Sequence, residues 1–279
     1  MKKIIAVFDG LKYSESTQNF AIEIANNSKA FLTGIFLEDF TYTSYKIHDL
    51  VYKEGVSAKE LRRYQEKDVE TRDKATLLFD NACKVAGISY NIHHDRNIAI
   101  KELTHESIYA DLLIIDSRET LSHYQEEMPA RFIQEILAGT HCPALVVPQT
   151  FLPIEKVALL YDGDPASVIA LKMFSYLFAF LKHIPLEIIS GKGWYGEMHL
   201  PDGMLMRELI KRHYPGATYT MLNGEPEKAI ITHLKRKNEN LLIVLGAYNR
   251  NTISRWFRKS MADTVMKELK CPVFIAHSK

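Results

Sequence analysis

Short runs of Val, Ile and Leu alternate along the chain with longer stretches whose apolar residues recur at helical spacing. In the first half the runs fall near residues 3–8, 31–37, 88–93, 111–116 and 144–147, and in the second near 156–161, 185–190, 217–222, 241–246 and 272–276. They are apolar at every position instead of every second one. That is the pattern of strands covered on both faces, and such strands separated by helices form parallel βαβ sheets. The pattern predicts an α/β protein made of two five-stranded parallel sheets.

The two halves repeat each other. IIAVFDGLKYSES (4–16) matches VALLYDGDPASVI (157–169), an apolar strand that ends in Asp-Gly before a helix; DLLIIDSR (111–118) with THCPALVVP (140–148) matches NLLIVLGAYNR (240–250) with LKCPVFIAH (269–277). Self-similarity of this kind sets the architecture, two tandem domains at 1–149 and 154–279 joined through PQTFLPIEK (148–156). Asp9 and Asp162 are 153 positions apart but Cys142 and Cys271 only 129, so the first copy carries a surplus between its second and third strands. The surplus lies at about 40–87. It begins with the Tyr-rich FTYTSYKIHDLVY (40–52) and continues as a long polar helix over 53–87, with apolar positions at Val56, Leu61, Tyr64, Val69 and Leu77 or Leu78.

Composition narrows the class. Of 279 residues, 47% are hydrophobic and 25% charged, enough to bury a full core and too apolar for a disordered chain. No apolar run reaches the length of a bilayer span, and MKKIIAVFDG reads as a first strand and not a signal peptide, so no membrane role is expected. Cys83, Cys142 and Cys271 are too few and too scattered for a disulfide framework, which fits a reducing, cytoplasmic setting. Residues 1–150 carry 17 Lys and Arg against 22 Asp and Glu, whereas the remainder carries 18 against 12. A split this mild predicts no nucleic-acid partner.

Ligands of open parallel sheets bind beyond the carboxyl ends of the strands, where the strand order reverses. The first strand of each copy ends in Asp-Gly (Asp9, Asp162), where an aspartate either accepts hydrogen bonds from an adenine or ribose or caps the next helix. After the fourth strand of copy two, Gly246 starts a turn and Ser260 begins a helix, with Arg250, Arg255, Arg258 and Lys259 between them and no acidic residue. Backbone N–H groups and positive charge converging there suit a phosphate; a solvated basic helix cap has the same composition. Copy one has Asp116 in place of Gly246 and adds Glu119, Glu126 and Glu127, which repel a phosphate, so copy one is expected to lack a triphosphate site.

The paired Asp-Gly strand ends, the fourth-strand glycine turn and the Cys-Pro before the last strand resemble the universal stress protein family over nearly the whole chain, twice. The resemblance implies a stress-response protein of the adenine nucleotide alpha hydrolase-like fold with strand order 3-2-1-4-5. It also implies that copies pair through their last strands, here ALVV (144–147) with VFIA (273–276), as an intrachain pseudo-dimer with homodimers beyond it. ATP-binding members carry Gly, two residues, Gly, nine residues, then Gly followed by Ser or Thr. Copy two keeps Gly246 and Ser260 but has Asn249 and Lys259 at the other two glycines. The site so implied for ATP or another adenine nucleotide comprises Asp162, Ile189, Leu245, Gly246, Asn249, Lys259, Ser260 and Met261. In copy one Asp9 and Ile115 stand at two of these places.

Other chemistry is weaker. His93 and His94 are adjacent on a strand and point to opposite faces, unsuited to one metal. SGKGW (190–194) lacks the spacing and the final Lys-Ser/Thr of a P-loop, and reads as a turn. Trp194, Tyr195 and Met198 either pack under a loop or lid the copy-two site. No nucleophile with its base is recognisable, so an enzyme is not expected, with slow ATP hydrolysis a third reading. Two functions remain: reversible nucleotide binding in copy two, or an interaction module with vestigial sites whose 40–87 insertion docks a protein partner or a small apolar ligand.

Overall fold

The structure, a computed structural model, describes residues 1–37, 58–95, 98–121, 126–191, 200–237, 240–246 and 259–276. It divides into two compact units, Met1–Cys142 and Pro143–Lys279. The first holds β1 (Lys3–Phe8), α1 (Glu15–Ser28), β2 (Phe31–Leu37), α2 (Ala58–Ala86), β3 (Tyr90–Asp95), α3 (Ala99–Ile108), β4 (Leu112–Asp116) and α4 (Arg131–Gly139). The second holds β5 (Ala144–Val147), β6 (Lys156–Leu160), α5 (Pro165–Leu177), β7 (Leu186–Gly191), α6 (Gly203–His213), β8 (Thr218–Leu222), α7 (Pro226–Lys235), β9 (Leu241–Gly246), α8 (Lys259–Glu268) and β10 (Val273–Ala276).

Within the first unit the strands run in the order β3-β2-β1-β4, and within the second β8-β7-β6-β9-β10, the 3-2-1-4-5 order of the expected fold. Pairing is parallel between β1 and both β2 and β4, and between β6 and both β7 and β9. The five residues of β4 and the six of β9 are all buried, as unbroken apolar runs require of inner parallel strands. Inside the second unit β5 pairs antiparallel with β10, Val146 opposite Val273 and Ala144 opposite Ile275. Among the described residues no helix is long and apolar enough to cross a membrane.

The third strand begins two residues later than its apolar run predicts. Gly87, at φ +63°, and Ile88 donate to the carbonyls of Lys84 and Cys83, a left-handed cap that ends α2 before the chain can extend. The long insertion helix forms, but with a different buried face. Val69, Leu77 and Leu78 are each more than half exposed, while Ala75, Phe79 and Cys83, spaced by four, are buried. Gly34 on β2 explains the choice: a Cβ there would fall 2.5 Å from the Phe79 ring. Phe79 thus drops onto the strand and meets Phe8 at 5.3 Å and Phe36 at 6.0 Å, edge-on to both. Val56 and the side chains of Leu61 and Tyr64 lie outside the described residues, as does the Tyr-rich segment 40–52.

Candidate functional site

The carboxyl ends of β6, β7 and β9 gather four of the residues expected to hold a nucleotide. Leu160 is in register with Ile189 and Leu159 with Val244, which brings Asp162, Ile189, Leu245 and Gly246 to neighbouring strand ends at the β6/β9 switch point. Ile189 and Leu245 are wholly buried, and Asp162 is 3% exposed. Met261, on the first turn of α8, is also buried. Lys259 and Ser260 open α8, as the sequence predicts of Ser260, but their side chains and all of Asn249, Arg250, Arg255 and Arg258 lie outside the described residues.

The strand-end aspartates are not helix caps, which settles one alternative left open by the sequence. Asp162 Oδ1 accepts the backbone N–H of Asp164 at 2.9 Å, and it is Asp164 that caps α5, accepting from Ala166 N at 2.8 Å with Pro165 at the first helical position. In the first domain Asp9 Oδ1 accepts from Leu11 N and Lys12 N, both at 2.8 Å, and Ser14 is the cap of α1. Each aspartate therefore folds the turn that delivers the helix to the strand end.

Gly246 is fixed by the same turn. A Cβ on it would lie 2.3 Å from the carbonyl carbon of Ala166 and 2.6 Å from the amide nitrogen of Ser167. The first turn of α5 rests directly on the end of β9, and only glycine permits the approach. In the first domain the cap comes five residues after Asp9, against two after Asp162, and the longer turn makes room for the Asp116 side chain. Asp116 Oδ2 there accepts the Ser14 hydroxyl at 2.8 Å and Arg118 Nη2 at 3.3 Å.

Two contributors were not evident in the sequence. Tyr161, 2% exposed, donates its hydroxyl to the Pro201 carbonyl at 3.0 Å, and Gly163, at φ +86°, sits where a Cβ would meet Pro201 at 2.7 Å. Burial, with Asp202 and Asp162 nearby, pushes the Tyr161 phenol up to about 12, so it stays a donor. Residues 200–202 therefore close over the tip of β6. The run SGKGW and Trp194, Tyr195 and Met198 just before them fall outside the described residues, apart from Ser190 and Gly191 at the end of β7.

The second contributor is Glu119. The sequence presents it as one of three glutamates that repel a phosphate; in the structure it is 5% exposed, with Oε1 accepting Thr120 N at 3.1 Å and Leu121 N at 3.3 Å. Above the same strand ends, Arg72 of α2 donates Nε to the Asp9 carbonyl at 3.4 Å, and its Cγ lies 2.9 Å from where a Cβ on Gly10 would be. The insertion helix thus covers the turn after β1.

No metal constellation competes for these residues. His93 Nδ1 bonds Glu106 Oε1 at 2.8 Å while the His94 ring stacks on Phe36, and among the described residues no group of three or more metal-ligating side chains is disposed to hold an ion.

The model of the universal stress protein family matches residues 194–277. No curated protein matches the chain. Among solved structures, a universal stress protein from Archaeoglobus fulgidus DSM 4304 superposes with a TM-score of 0.69 at 14% identity, covering 99% of this chain and 98% of the other. A protein of unknown function from Pseudomonas aeruginosa PAO1 superposes at 0.60 with 15% identity over 99% and 92%. At such identities the superpositions establish the fold alone, and the family match is confined to residues 194–277. The chain thus has the fold of a universal stress protein of known structure, in two tandem copies, and its residues 194–277 match the model of that family.

Proposed function

We propose that the protein serves a stress response by reversibly binding an adenine nucleotide in its second domain, without catalysis. The observation that carries this reading is the meeting of Asp162, Ile189, Leu245 and Gly246 at the β6/β9 switch point. A buried carboxylate at a strand end suits the ribose or base, and flanking aliphatic side chains suit an adenine face. The adenosine end therefore fits the residues present. Asn249, Lys259 and Ser260, with the arginines between them, would meet the phosphates.

The test is isothermal titration of nucleotide-stripped protein with ATP, AMP and cyclic AMP, with and without magnesium. We expect saturable binding near one per chain, weakened at least tenfold in Asp162→Ala or Ser260→Ala and unchanged in Asp9→Ala. Absence of heat with all three ligands would overturn the reading.

A second reading, an interaction module with vestigial sites, is favoured by a different observation. Gly246 is fully accounted for by its packing on α5, and α2 presents Val69, Leu77, Leu78 and Val85 to solvent, Val85 at 90% exposure. Under it the exposed side of α2 carries the partner, in a cytoplasmic setting consistent with the free thiols of Cys83, Cys142 and Cys271.

A further inference from the structure

Three carboxyl groups are buried together at the adjoining ends of β1 and β4: Asp9 at 1% exposure, Asp116 at 4% and Glu119 at 5%. Asp116 is satisfied by Ser14, by the Arg118 guanidinium and by the Arg118 amide at 2.9 Å. Asp9 is not. Its Oδ1 takes the amides of Leu11 and Lys12, but its Oδ2 is buried with no donor. A buried carboxylate oxygen left without a hydrogen bond carries the full cost of its desolvation, so a donor is to be expected.

Beside Asp9, just past the ends of the paired strands β1 and β4, the titratable group buried with it is Glu119, another carboxyl. Two ionised carboxylates cannot bond each other; one proton between them turns repulsion into a short, charge-assisted hydrogen bond. The two backbone amides on Glu119 Oε1 leave Oε2 as the atom to carry it.

The charged groups around the pair are already engaged. Lys12 Nζ reaches Thr120 Oγ1 at 3.4 Å, Arg118 bonds Asp116, and Arg72 donates to the Asp9 carbonyl from α2.

We propose that the β1/β4 end of the first domain is a proton site, in which Glu119 Oε2 donates a single proton to Asp9 Oδ2. The neutral Glu119 then serves as an internal plug at the place where the second domain offers its nucleotide-binding residues. Burial, reinforced by the charges of Asp9 and Asp116, holds the Glu119 carboxyl well above the ordinary range. A carboxyl whose pKa is raised by folding favours the native state in acid, and that stability is lost as pH rises through the folded-state value.

The test is carboxyl-carbon NMR of the full-length chain labelled at the glutamate side-chain carboxyl, titrated from acid to alkali, with Glu119→Gln to assign the resonance. Glu119 should titrate at higher pH than the other glutamates, and in Asp9→Asn, whose amide can donate, its midpoint should shift down. Glu119→Gln should melt with the wild type in acid and above it in alkali. If Glu119→Gln does not fold, the resonance displaced by Asp9→Asn supplies the assignment. A Glu119 that titrates together with exposed glutamates in the wild type would overturn the proposal.

Discussion

Gly246 and Ala166 touch backbone to backbone: the end of β9 lies where any side chain on residue 246 would fall 2.3 Å from the Ala166 carbonyl carbon. Strand end and helix start are thereby locked, and the switch-point residues of the second domain depend on that lock. Overpacking against backbone cannot be relieved by a rotamer change. Gly246→Ala should therefore cost the protein about 1–3 kcal/mol or more, read as a lowered urea midpoint, and should do so in nucleotide-free protein. A loss of nucleotide affinity with unchanged stability would show instead that the glycine faces ligand.

Phe79 and Gly34 make the corresponding contact in the first domain. Phe79→Ala should destabilise by about 3–5 kcal/mol, because it empties the space between Phe8 and Phe36. Gly34→Ala should destabilise alone, and the combination with Phe79→Leu should cost less than the sum of the two single changes. Thermal or denaturant melts of the four proteins measure the coupling.

Glu187 lies buried under α7 and binds three partners: Thr220 Oγ1 at 2.5 Å, His233 Nε2 at 3.1 Å and Lys237 Nζ. Burial alone would raise its pKa, but the hydrogen bonds from Lys237, Thr220 and His233 outweigh burial and hold it below the ordinary value. The sign of the pH effect follows. The stability is present above the unfolded carboxyl value of about 4.3 and is lost as pH falls through the folded one. Lys237→Met should cost about 3 kcal/mol at most near neutrality, since it leaves a mostly buried charge short of a partner. Glu187→Gln should flatten the acid limb of melting temperature against pH between about pH 3 and 5.

The exposed side of α2 can be probed without disturbing the core. Removing residues 40–87 would also remove Phe79 and confuse loss of a partner with loss of the fold. Leu77→Glu combined with Leu78→Lys changes only exposed positions and should move stability by about 0.5 kcal/mol or less. If the insertion is a docking surface, the double change abolishes association seen by light scattering or pull-down with a known partner. Association that survives it places the surface elsewhere.

Strand positions were legible because inner parallel strands are built mostly of apolar residues; LLIID and LLIVLG announce themselves over five and six consecutive buried positions. The insertion helix was legible in extent but not in orientation. Its buried face is chosen by Gly34 on another strand, and a helix whose apolar residues are spread around its axis offers no majority face to read. The aspartates at 9 and 162 were recognisable as strand-end residues, yet sequence alone left ligand binding and helix capping equally open; the turn that each folds through the amides two or three residues on has no separate signature in the sequence. The burial of Glu119 was not legible for a physical reason: it is set by the tertiary packing at the ends of β1 and β4, and a buried carboxyl has no signature in the sequence.

The antiparallel pairing of β5 with β10 bears on how this protein can be dissected. A cut anywhere in 148–155 separates the two strands, and the second fragment would carry β10 as an edge strand with a bare row of N–H and C=O groups along four apolar residues, VFIA. Such a fragment would be sticky, recruiting a second copy of itself to replace the missing strand. A cut just before Pro143 keeps the two strands in one piece, because both belong to the second compact unit.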